Sequence, residues 1–252
     1  MKAAVFAGTM EHHRAHAGPM AEGLKRHGID VVMYQNSPPP ADFTVTWGWR
    51  RAKDVRQPVL VMERGYLGDR LKVWTSLGWN GLNGRAVWNG PGDAGERFQR
   101  HFGDLVREWT SRGGYALLLG QTPGDQSVAH VNLQAWYGQA EAAMRKRGFQ
   151  VRMRPHPNVS KTGRPIEEDL AGAACAVSFN SNSGVLAALS GVPVIACDIG
   201  SMAWGVAAHG LDADLIRPDR SEWLTGLAWK QWTREEMSSG FAWEHVRAAM
   251  PC

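Results

Sequence analysis

From Tyr115 to Cys197 the chain repeats one pattern: a short apolar run, a turn of small or polar residues, then a segment with helical spacing. The runs that read as strands are Tyr115–Leu119, Phe149–Met153, Cys175–Phe179 and Pro193–Cys197. Between them lie Asn132–Arg147, closed by Gly148, then Pro165–Ala171 with acids in its first turn, and Val185–Leu189, ended by Gly191. Acids at a helix start suit the helix dipole. Strands apolar along their whole length need cover on both faces, and the alternating helices supply it. This alternation defines a parallel α/β sheet.

The first half carries a looser version of the pattern. Lys2–Ala7, Ile29–Tyr34, Phe43–Trp47 and Pro58–Met62 read as strands, and Gly18–His27 as a helix stopped by Gly28. Residues 66–95, rich in Gly, Asn and Trp, show no period and are expected to be irregular. Glu96–Trp109 reads as one amphipathic helix. The break at Arg112-Gly113-Gly114 sets the boundary between a domain 1–112 and a domain 113–252. The second domain then includes mostly helical residues from Trp223 to Met250, with a break near Gly240. The expected fold class is α/β, two Rossmann-like domains of a small kind in 252 residues.

Composition narrows the function. No uninterrupted apolar stretch reaches the length of about 18 residues that a membrane span requires. The three cysteines, Cys175, Cys197 and Cys252, have no zinc or redox spacing and read as reduced thiols, which points to a cytoplasmic protein. A formal charge of +4 without a long basic run is compatible with an anionic partner and does not specify one. Twelve tryptophans against four tyrosines supply flat apolar faces, most of them for the core and some suited to stacking on a sugar or base.

Three constellations carry chemistry. Arg154-Pro155-His156-Pro157 ends a strand, with prolines fixing the backbone around one imidazole. It reads equally as a rigid surface turn and as a phosphate-binding histidine with Arg154 adding charge. In Asn180-Ser181-Asn182-Ser183, strand gives way to helix through four hydroxyl or amide residues, more than capping requires, so an anion site is favoured there. The run Gly191-Val192-Pro193-Val194 leads into a strand ending at Asp198, placed for a hydroxyl or ribose or for capping a turn. Gln121, in the loop after Tyr115–Leu119, joins the donor-binding candidates.

These three motifs, in this order, resemble the donor-binding half of GT-B glycosyltransferases. They are most similar to capsule-type Kdo transferases and bacterial polysialyltransferases. The matching residues are His156-Pro157, Ser181 to Ser183, Ala187-Ala188-Leu189 with Gly191, and Pro193-Val194, about fifty residues in all. The resemblance implies that His156, Ser181 and Ser183 contact the phosphate of a nucleotide sugar. It also implies a transferase that needs no metal or other cofactor.

A transferase needs a base for the acceptor hydroxyl. In the first half Glu63, closing a strand, and Asp69, just beyond, are the candidates, and each also reads as a surface ion pair with a neighbouring arginine. Glu11, His12, His13, Arg14 and His16 read as a polar loop whose spacing fits no standard zinc site. The expected acceptor is a surface glycan or hydroxymethylated DNA of the phage type. The alternatives are a non-catalytic nucleotide- or sugar-phosphate-binding protein and a sugar-nucleotide epimerase.

Overall fold

The structure is a computed structural model and describes every residue except Thr9, Lys53, Asp54, Leu71, Ser111, Arg112, Lys161 and Thr162. Arg112, first residue of the expected interdomain break, therefore lies outside the described residues. Two compact units are present: Met1–His101 with Leu224–Cys252, and Phe102–Trp223. Each contains a Rossmann-like sheet.

In the first unit, β1 (Lys2–Phe6) is followed by α1 (Glu11–Arg26), β2 (Asp30–Tyr34), β3 (Phe43–Trp47), β4 (Val59–Arg64) and β5 (Thr75–Trp79). The sheet order places β1, β3 and β4 inside, with β2 at one edge and β5 beyond β4. The pairs β1–β2, β1–β3 and β3–β4 are parallel, and β5 runs antiparallel to β4. The interior strands are buried along most of their length because both their faces are covered, whereas edge strand β2 stays half-open.

Two expectations change here. Helix α1 starts at Glu11, seven residues before the expected start, so Glu11–His16 form its first turns rather than a loop. Its buried face runs His13, His16, Ala17, Met20, Ala21 and Leu24: the spacing is helical, with two imidazoles in apolar positions. Gly18, the expected start, and Pro19 sit inside the helix. The segment 66–95 contains β5, whose Thr, Ser and Gly hide a strand buried along its full length.

Helix α2 (Glu96–Phe102) ends in a single 3₁₀ turn at Gly103–Leu105, short of the expected Trp109. The chain beyond is held by backbone bonds, Arg107 N–H to Leu189 O at 2.8 Å and Thr110 N–H to Gly191 O at 2.7 Å. Gly191 has φ +77°, and a Cβ on it would fall 1.9 Å from the Glu108 carbonyl oxygen, so only glycine fits.

The second unit runs β6 (Tyr115–Leu119), α3 (Leu133–Lys146), β7 (Gln150–Arg154), α4 (Ile166–Ala171), β8 (Ala173–Ser178), α5 (Ser183–Leu189), β9 (Val194–Ala196) and β10 (Ala208–His209). All its strand pairs are parallel, in the order β10-β9-β8-β6-β7. Asn132 caps α3 by accepting from the Ala135 N–H.

The largest correction concerns the C-terminus. After α6 (Ser221–Ala228), the strand β11 (Gln231–Trp232) pairs antiparallel with β5 and completes the first sheet. Then α7 (Arg234–Ser238) and α8 (Phe241–Val246) follow, with the break at Gly240 between them. Residues from Leu224 onward thus belong to the first unit, not to a domain 113–252.

Several contacts hold this return in place. Arg97 forms a two-point ion pair with Glu236, donates to the carbonyls of Ala228 and Gln231, and lies over the rings of Trp229 and Trp232. Gln231 Oε1 accepts from the N–H groups of Tyr66 and Leu67 at 2.6 and 2.9 Å, satisfying the buried irregular segment. Trp243 stacks on Phe43 at 4.9 Å. Gly23 admits α7 closely, since a Cβ there would meet the Met237 carbonyl at 1.9 Å. Among the described residues no helix is long and apolar enough to cross a membrane.

Candidate functional site

In a parallel sheet the loops at the strands' carboxyl ends converge, and ligands bind there. In the second unit this edge carries Gln121 after β6, His156 after β7, Asn180 to Ser183 after β8 and Asp198 after β9. The structure brings most of them into one hydrogen-bonded array.

Asn180 is its centre and is almost wholly buried. Its N–H donates to Gln121 Oε1 at 3.0 Å, and its Oδ1 accepts from Gln121 Nε2 at 2.6 Å. Its Nδ2 donates to the Ser127 carbonyl at 2.8 Å and to Asp198 Oδ1 at 3.0 Å. Gln121 in turn donates its N–H to the Tyr137 hydroxyl on α3. Buried amides with both ends bonded are rigid. Gln121 and Asn180 therefore position the edge.

Asp198 is held by three donors. Its Oδ1 accepts from Asn180 and from the Gly200 N–H at 2.8 Å, and its Oδ2 lies 3.2 Å from His130 Nε2. His130 and Ser127 come from the turn between β6 and α3, which carries no recognisable motif; reading the sequence alone missed both.

His156 Nδ1 accepts from the Asn158 N–H at 3.1 Å and meets the Thr122 hydroxyl at 3.1 Å. A backbone donor on Nδ1 leaves the proton of the neutral imidazole on Nε2. The Pro-bounded turn thus fixes both ring position and tautomer.

Arg154 takes a different course from the expected one. Its guanidinium pairs with the buried carboxylate of Asp169 and donates to the Arg164 carbonyl at 2.8 Å, and Arg164 binds the other Asp169 oxygen at 2.6 Å. Two arginines clamp one carboxylate on α4, so Arg154 is held by Asp169 while the triad keeps one net positive charge.

The serine turn is partly self-satisfied. Ser181 N–H donates to Ser178 Oγ, Ser183 N–H to Ser181 Oγ, Gly184 N–H to the Ser181 carbonyl and Val185 N–H to the Asn182 carbonyl. The expectation of open first-turn N–H groups is thus revised: these four are engaged within the turn. The hydroxyls of Ser181 and Ser183 and the Asn182 amide, whose buried Oδ1 has no partner among the described residues, are what the turn offers a ligand.

Burial pushes the Cys197 thiol, beside Asp198, and the Cys175 thiol up to about 11, so both stay protonated at neutral pH.

The first unit has its own carboxyl edge. Glu63 lies half-buried in β4 opposite Ser76, with Oε1 close to Gly48 in the turn after β3. Asp69 is exposed, and its carboxylate accepts from the Lys72 N–H at 3.1 Å. His12, His13 and His16 gather around Trp47, with ring centroids 5.4, 5.7 and 5.1 Å from it. His16 Nδ1 bonds the Thr75 hydroxyl at 2.7 Å. Burial, reinforced by Arg234, His12 and His13, pushes His16 down to about 4, and burial with His12 and Arg51 lowers His13. The imidazoles of His13 and His16 are therefore neutral at pH 7. Among the described residues no group of three His, Cys, Asp or Glu side chains is arranged to hold a metal ion.

No protein-family model matches the sequence, and no curated protein matches it either. Two solved structures are similar over nearly the whole chain. One is Thermosulfurimonas dismutans KpsC, beta Kdo 2,4 transferase, at 16% identity and TM-score 0.62, covering 92% of both chains. The other is Thermosulfurimonas dismutans KpsC, beta Kdo 2,7 transferase, at 12% identity and TM-score 0.63, covering 96% of this chain and 99% of that one. At such identities the likeness is one of fold: the chain has the two-unit α/β architecture of these Kdo transferases.

Proposed function

We propose that this chain is a GT-B-type glycosyltransferase that needs no metal. The second unit holds a nucleotide-sugar donor, and an acceptor hydroxyl is activated by the first. The observation that carries this reading is the array at the second sheet's carboxyl edge. There Gln121, Asn180 and Asp198 are locked together, and the turns bearing His156 and Ser181 leave the neighbouring strands. The fold likeness to two Kdo transferases over more than nine-tenths of each chain supports the same class.

In this mechanism His156 donates from Nε2 to the departing phosphate while the hydroxyls of Ser181 and Ser183 bind its oxygens. Charge that develops in the transition state meets preset donors. Glu63 is the favoured base: the sheet fixes its backbone at the carboxyl edge, whereas Asp69 is exposed and bound to a turn N–H. A surface glycan is the favoured acceptor over DNA, because both similar structures are named Kdo transferases.

The test is nucleotide release from a panel of sugar nucleotides, with and without soluble or lipid-linked glycans. Release from one donor, stimulated by a glycan, is expected. Absence of binding by every sugar nucleotide at about millimolar concentration would contradict the class, and isomerisation of the donor without acceptor would make the protein an epimerase. Glu63→Gln is expected to abolish transfer with donor affinity unchanged. Normal transfer by Glu63→Gln together with loss in Asp69→Asn would move the base to Asp69.

A further inference from the structure

At the second unit's edge Arg154 and Arg164 are both held by Asp169, and the N–H groups at the start of α5 are engaged within their own turn. His130 adds a further nitrogen donor to this edge. It lies on the turn between β6 and α3, and Asn180 binds that turn through the Ser127 carbonyl. Its ring packs beside Phe179 at 5.7 Å and its side chain is 47% exposed, while Asp198 beneath it is 9% exposed. Asp198 Oδ2, 3.2 Å away, receives the Nε2 proton, and Nδ1 has no partner among the described residues. An imidazole backed by a fixed carboxylate points its second nitrogen at whatever occupies the edge.

We propose that His130, oriented by Asp198, is a ligand of the donor's phosphate and binds it as the imidazolium, so that nucleotide binding takes up one proton. The inference rests on the reading of this edge as a nucleotide site. A neutral His130 presents a lone pair at Nδ1, which repels a phosphate oxygen. A proton taken from solvent onto Nδ1 turns that nitrogen into a charged donor, and the imidazolium then lies between two anions, phosphate and Asp198. The other titratable groups of this edge include Asp198, Asp125 on the same loop, Tyr137 on α3, His156 after β7, His209 at the end of β10, and Asp212 and Asp214 beyond it. Asp125 accepts from Ser127, His156 Nδ1 accepts from Asn158, and Cys197 stays a neutral thiol.

The experiment is calorimetric titration of the whole protein with nucleoside mono- and diphosphates between pH 6 and 8.5, in buffers of different ionisation enthalpy. The wild type is expected to take up a proton on binding nucleotide, and to bind more weakly as the pH rises from 6 to 8.5. His130→Gln is expected to bind about tenfold or more weakly at pH 6 and to lose the uptake. His156→Gln should weaken binding and keep the uptake. Equal uptake in His130→Gln and the wild type overturns the proposal, as does loss of uptake in His156→Gln alone. A wild type that binds no nucleotide at all overturns the underlying reading and the proposal with it; binding without uptake overturns the proposal only. Thermal melts of each variant confirm folding, which an exposed histidine does not control.

Discussion

The two units share a Rossmann-like plan and differ in the character of their carboxyl edges. The second unit's edge is polar and cross-bonded, with amide, carboxylate and imidazole groups each tied to a neighbour, as in Gln121–Asn180–Asp198–His130. The first unit's edge is aromatic: Trp47 faces three imidazoles, two of them neutral through burial, beside a half-buried Glu63. A satisfied polar network gives fixed donors to a ligand whose charge grows during reaction. Neutral imidazoles and an aromatic face suit the uncharged hydroxyl-bearing partner that a base must deprotonate. The proposed division of labour between donor and acceptor draws on this difference in how each edge is built.

The first unit depends on the C-terminal return for its core, and the second does not. Arg97→Ala removes one partner of a buried ion pair and leaves Glu236 and two carbonyls short of a donor. Urea unfolding should show a loss of about 3–5 kcal/mol. A loss below about 1 kcal/mol would mean that the return is held by its tryptophans alone.

His156→Ala sharpens the comparison from the other side. It removes a charge-directed donor from a polar turn that contributes little packing. Turnover should fall about a hundredfold while the thermal midpoint barely moves. Unchanged turnover would return His156 to the status of a surface turn.

How much of this was legible in the sequence differs between the units for a physical reason. In the second, strands β6, β8 and β9 are largely apolar runs, edge strand β7 alternates, and each crossover carries a helix, so β6 to β9 and their loops emerge from pattern alone. The first unit hides its elements. Helix α1 buries histidines where aliphatic residues are expected, and β5 is built from Thr, Ser and Gly. The sheet is completed by β11, a two-residue strand from the far end of the chain. Pairing across 155 residues, Gln231 with Ser76, leaves no local trace. In the site, His156, Asn180, Ser181 and Asp198 were readable because they end strands. His130 was not, since its importance comes from Asp198, which is 68 residues away in sequence. The partner of Arg154 left no trace, because the Asp169 that engages it lies on a separate helix.

A pH titration of stability separates the edges again. His16 is pushed down to about 4 in the folded protein, so between its unfolded value of about 6.5 and that figure the unfolded chain holds the extra proton. The stability that neutral His16 contributes is complete above about pH 6.5 and declines as pH falls, by at most about 1.4 kcal/mol per unit. The decline should be shallower in His16→Phe, and an identical slope would assign it to other groups.

The smallest expected effect concerns the serine turn. Ser181→Ala with Ser183→Ala should weaken nucleotide binding and cost about 0.5–2 kcal/mol in stability, through loss of Ser181 Oγ as the acceptor for the Ser183 N–H. Unaltered nucleotide affinity in a clearly destabilised variant would make the turn purely structural.

The central claim is that the second unit's carboxyl edge is a nucleotide site. Crystals of the protein soaked with a mixture of nucleoside diphosphates test it most directly. The account predicts a phosphate within hydrogen-bonding distance of His156 Nε2 and the Ser181 hydroxyl, with His130 Nδ1 on the same group. A nucleotide seated on the first unit's edge, around Trp47 and His12, would contradict it.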